Sequence, residues 1–91
     1  MVLLVSYDLK NPVREYDDLY ESLSSYESCH ALESVWFLDT NNSPSDVRDE
    51  LEASIDKDDV LFVVRPRKHW AGTSSLEDDV VRWLKSATRT W

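Results

Sequence analysis

The run Val2–Leu9 is apolar for most of its length and closes on Tyr7-Asp8. Side chains alternate across a strand, so Leu3, Val5, Tyr7 and Leu9 share one face, apolar throughout. Val2, Leu4, Ser6 and Asp8 share the other, which begins apolar and turns polar. A strand apolar on both faces near its start belongs at the centre of a sheet, covered on each side. The chain must therefore build a sheet around this strand and find cover for two faces. The same strand carries one carboxylate, Asp8, to the sheet's rim.

Ninety-one residues make one domain. A chain this short buries roughly 60–65% of the surface it exposes when unfolded, and self-association is a common remedy. Hydrophobic residues make up 42% of the chain, which supports a packed core rather than disorder. The single cysteine, Cys29, excludes an internal disulfide framework, and two histidines offer little to a structural zinc site. Met1 runs straight into the first strand without the pattern of a signal peptide, and no apolar run approaches a membrane span. A soluble, cytoplasmic protein is expected. The net charge of −8, from 18 acidic and 10 basic residues, argues against indiscriminate nucleic-acid binding. That exclusion lapses if the basic residues gather on one face, or if a salty cytoplasm screens the excess acid.

Asn11-Pro12 breaks the pattern after the strand. Tyr16, Leu19, Tyr20, Leu23 and Tyr26 then recur at helical spacing, predicting a helix of about three turns. Cys29 to Asp39 is extended and reads as two short strands with a bend near Glu33-Ser34. Ser43-Pro44-Ser45-Asp46 is a helix start, with Ser43 as N-cap and Pro44 at the first position. Val47, Leu51 and Ile55 give that helix its buried stripe, with Ser54 beside it. Val60 to Val64 is an unbroken apolar strand, followed by the only basic cluster, Arg65-Pro66-Arg67-Lys68-His69. Ser74 and Glu77 are spaced as a capping box for a last helix through Leu76, Val80, Trp83, Leu84 and Ala87. This order predicts a ferredoxin-like α+β fold, βαββαβ, with an additional C-terminal helix. The core spans 2–66 and the helical extension 70–91. Both crossover helices then cover one sheet face, and the other needs the last helix or a second copy.

Val5-Ser6-Tyr7-Asp8-Leu9 resembles the opening of the small CRISPR-associated adaptation nucleases and of the VapD-type toxins. Leu32-Glu33-Ser34-Val35-Trp36, Val47-Arg48-Asp49-Glu50-Leu51 and Asp56-Lys57-Asp58-Asp59-Val60-Leu61 resemble, in order and spacing, a set of SinR-like bacterial and phage proteins, as does Trp83-Leu84. The resemblance covers most of residues 2–64 and rests on the ordered series rather than on one motif. It implies a ferredoxin-like homodimer with sheets packed together. In the nuclease members it implies a divalent-metal site, Mg²⁺ or Mn²⁺, at the aspartate ending the first strand, here Asp8. The chain departs from the nuclease pattern in having only Lys10 and Arg14 as basic residues before Arg48, and in its Trp-rich tail.

Asp8 is thus the candidate catalytic and metal-binding residue; the competing role is to accept backbone hydrogen bonds in the loop after the strand. Ser6 shares its face. His30, His69 and Glu33 are weaker candidates, and Cys29 is expected to be buried and inert. Arg65, Arg67 and Lys68 are the candidate nucleic-acid-binding residues, with Trp70 as a stacking surface. Their alternative is to pair with a partner's carboxylates and steer assembly. Three functions follow: a metal-dependent endonuclease, a catalytically silent dimeric module that binds protein, and a phage-type acidic inhibitor.

Overall fold

The computed structural model describes residues 1–91. Val2–Asp8 forms β1, Asp17–Ser24 α1, Glu27–Leu32 β2, Val35–Asp39 β3, Pro44–Glu52 α2, Val60–Val64 β4 and Asp78–Lys85 α3. The fold is α+β: one four-stranded antiparallel sheet in the order β2-β3-β1-β4, with three helices. β1 is central as its two apolar faces require, flanked by β3 and β4. The β2–β3 bend falls at Glu33-Ser34, as the extended stretch predicts.

Leu3, Val5 and Tyr7 of β1 join Trp36 and Leu38 of β3 against α1 and α2. From the helices come Tyr16, Leu19 and Leu23, and Val47 and Leu51; the five leucines among these ten residues are all fully buried. Burying a side chain of this kind stabilises by about 1.5–3 kcal/mol, and this layer is the main core. Trp36 Nε1 donates to the Tyr7 hydroxyl at 3.1 Å, and that hydroxyl donates to the Glu33 carbonyl at 3.2 Å. The bend is thereby tied to the core, and burial pushes the Tyr7 phenol upward in pKa.

α2 begins as its sequence dictates: Ser43 Oγ accepts from the Asp46 N–H at 3.1 Å, with Pro44 in the first turn. α1 is shorter than the tyrosine spacing predicts. Tyr16 is its N-cap, and Tyr26 lies beyond its end, where its hydroxyl bonds Glu50. Desolvation, then that bond, pushes the Tyr26 pKa to about 12. The Ser74–Glu77 capping box is not made. Glu77 is itself the N-cap of α3, without a side-chain cap bond, because Thr73 and Ser75 bond each other and a turn closes from Thr73 to Leu76.

The second sheet face carries Leu4, Ser6 and Asp8 of β1 and the matching residues of β3 and β4. α3 and the loop before it cover its β2–β3 half, with Val80 and Leu84 buried. Trp70, Leu76, Val80 and Leu84 line an apolar groove of about 410 Å³ over Leu4, Val35 and Phe37. The C-terminal tail reaches one end of the β1–β4 half, where Thr90 bonds Val2 and Trp91 bonds Arg65, while the end that holds Ser6 and Asp8 has no cover. Val60 and Phe62 stay 54% and 58% exposed there, beside Val64.

Candidate functional site

Asp8 ends β1 on the uncovered face, opposite Val60. Its carboxylate is 66% exposed, and its one ion-pair partner is Lys10, whose Nζ lies 2.5 Å from Oδ2. This bond raises the Lys10 pKa. The loop-bonding role open to Asp8 falls instead to Asp59. Asp59 accepts the Lys10 N–H at 2.7 Å, the Asp56 N–H at 2.8 Å and the Tyr16 hydroxyl at 3.0 Å. The Lys10 N–H foremost holds its carboxyl below the usual range. Beside it Arg14 clasps Asp56 and donates to the Ser54 carbonyl at 3.1 Å. The loops after β1 and before β4 are thus stitched together beneath Asp8, whose own carboxylate is left facing solvent.

Ser6 lies on the same face, opposite Phe62. His30 does not join this site. It pairs with Trp36 on the helix-covered face, stacks on that indole at 4.3 Å between ring centroids, and sets Nε2 3.0 Å from the Glu33 carbonyl. Glu33 uses its backbone carbonyl for Tyr7 and His30. Cys29 pairs with Phe37 on the α3 side, the face opposite His30, and burial raises its thiol pKa. Burial outweighs the opposing pull of Arg89, so the half-buried thiol is not activated.

The basic cluster is remote from Asp8. Asp8 faces Val60 at one end of β4 and Leu4 faces Val64 at the other, so Arg65 begins the cluster about 15 Å or more away. Arg65 bonds the Trp91 carbonyl. Arg67 and Lys68 are exposed and unpaired within the chain. Lys68, His69, Trp70, Leu84 and Lys85 line a shallow, open cleft of about 590 Å³. No family model matches the chain, and no solved structure matches it significantly.

Lys85 was out of reach of sequence reasoning. Sixteen residues lie between it and Lys68, and only the return of α3 across the sheet brings the two together. Asp59 gave a faint signal, an aspartate closing the charged turn Asp56–Asp59.

For a divalent cation, one chain supplies the hard oxygens of Asp8. No three His, Cys, Asp or Glu side chains converge in it. Mg²⁺ takes one or two carboxylates with water and substrate phosphate for the rest, and Asp8 offers one such carboxylate, open to solvent.

Proposed function

We propose that the chain is a ferredoxin-like homodimer that cleaves phosphodiester bonds in nucleic acid, with Asp8 of each copy as the metal-binding carboxylate. The strand order β2-β3-β1-β4, with α1 and α2 on one face, supports the fold. The observation that carries the dimer is the uncovered part of the β1–β4 half, where Val60, Phe62 and Val64 lie exposed in a row. α3 stands on the other half of that face and limits how two copies meet. A two-fold axis across the strands would drive α3 into its counterpart. An axis along the strands interlocks them, each α3 beside the partner's β4, and brings both Asp8 residues to the same end of the interface.

In this reading Asp8 of each chain would hold Mg²⁺ or Mn²⁺, which would supply Lewis-acid polarisation of a phosphate oxygen and of the attacking water. Asp8 anchors the ion from each chain, Lys10 leaves its carboxylate to neutralise phosphate, and the stitched loops beneath hold the pair in place. The test is cleavage of single- and double-stranded DNA and RNA with Mg²⁺ or Mn²⁺. Wild type is expected to cut and Asp8→Ala to lose at least 100-fold in rate; activity persisting in Asp8→Ala overturns the assignment.

A second reading, a silent dimeric module that binds protein, draws on the closed Lys10–Asp8 pair. It keeps the same dimer and predicts no cleavage by either chain.

A further inference from the structure

Ten Lys and Arg side chains face 18 carboxylates, so an unpaired cation is the exception to explain. Lys10, Arg14, Arg48, Arg82 and Arg89 each lie within 4.0 Å of a carboxylate. Arg65 is held by the Trp91 main-chain oxygen, and Lys57, Arg67, Lys68 and Lys85 have no such partner. Three of these four gather where the chain leaves β4 and α3 ends. Lys85 answers the negative end of its helix, but that does not account for Arg67 and Lys68. Mutual repulsion among like charges is a standing cost, and an anion that binds there relieves it.

A second copy does not supply that anion. In the dimer proposed above, on which this step alone rests, the axis along the strands sets basic end beside basic end. The cleft itself is complete within one chain. Lys68, His69 and Lys85 line it together with the indole of Trp70. Cations flanking an aromatic ring suit a phosphate joined to a planar base. A duplex hides its base faces and would bring its charge against an otherwise acidic surface.

We propose that the cleft between the β4–α3 loop and the last turn of α3 binds a nucleotide of a single-stranded nucleic acid, its phosphate between Lys68 and Lys85 and its base on Trp70. The test is fluorescence anisotropy of labelled ten-nucleotide oligothymidylate and oligouridylate, with EDTA present, against a duplex of the same length. Lys68→Glu and Lys85→Glu are each expected to weaken binding at least tenfold, and to lower the slope of log affinity against log salt by about 0.7. Lys57→Glu, at the far end of β4, leaves both unchanged. Trp70→Ala loses about 5- to 150-fold, and Trp70→Phe, which keeps an aromatic face and a filled groove, retains most of the affinity. No binding at low salt, preference for the duplex, or an equal effect of Lys57→Glu overturns the proposal. Binding is read with the metal removed, so failure of the nuclease reading leaves this result standing, and cleavage without binding at the cleft overturns this one alone.

Discussion

Asp59 accepts two backbone N–H groups and a phenol at the end of the sheet where Asp8 accepts only a lysine. Its folded pKa lies below the ordinary 3.8. The stability it contributes is therefore complete above that value and lost as pH falls through the lower folded one. Acid unfolding followed by circular dichroism should show Asp59→Asn less stable than wild type at neutral pH, with the difference shrinking below about pH 4. Arg89 presents a different case. Its side chain is 9% exposed, lies 3.8 Å over the Trp83 ring, and donates to Glu27 at 3.0 Å and to Asp39 at 3.2 Å. Arg89→Ala leaves the largely buried Asp39 with only the Met1 ammonium, 3.5 Å away, at an expected cost of about 2 kcal/mol after allowance for solvent on the Glu27 side. Arg89→Lys recovers only part of that in denaturant titration, because lysine lacks the planar fork that reaches both carboxylates.

Among the elements, α2 and α3 show what a sequence states about its own helices and what it withholds. Ser43-Pro44 announces α2, because the cap and the proline act within three residues of each other. Ser74 and Glu77 have the same local grammar, yet Thr73 and Ser75 satisfy each other and leave Glu77 at the cap position. Ser43→Ala should lower unfolding stability by about 1 kcal/mol, and Ser74→Ala should be indistinguishable from wild type in the same titration. The bend at Glu33-Ser34 was legible because eleven extended residues exceed one strand. Which end of the sheet received the basic cluster was not. It depends on β4 running antiparallel to β1, a tertiary outcome that no local pattern in Val60–Val64 encodes.

At the scale of the molecule, the need to cover both faces of β1 was visible from its alternation, but the answer lay in α3. That helix is amphipathic wherever it docks, so its sequence is silent on which half of the sheet it takes. By taking the β2–β3 half it leaves Phe62 exposed beside Ser6 and Asp8. Phe62→Asp should give a monomer by sedimentation at micromolar concentration where wild type is a dimer. It should leave the thermal stability of the isolated chain unchanged, since Phe62 is open to water there. A wild-type monomer under those conditions would remove the dimer while leaving the cleft at Trp70 untouched.

β4 is also an edge strand, five apolar residues with a free row of backbone donors and acceptors. Such a segment is a template for uncontrolled strand addition. Asp58-Asp59 stands before it and Arg65-Pro66-Arg67 after it, so any strand extending along this edge meets charge at both ends and, at Pro66, a residue with no N–H to offer. The ends of β4 thus serve as gatekeepers, confining the stickiest stretch of the chain to five residues.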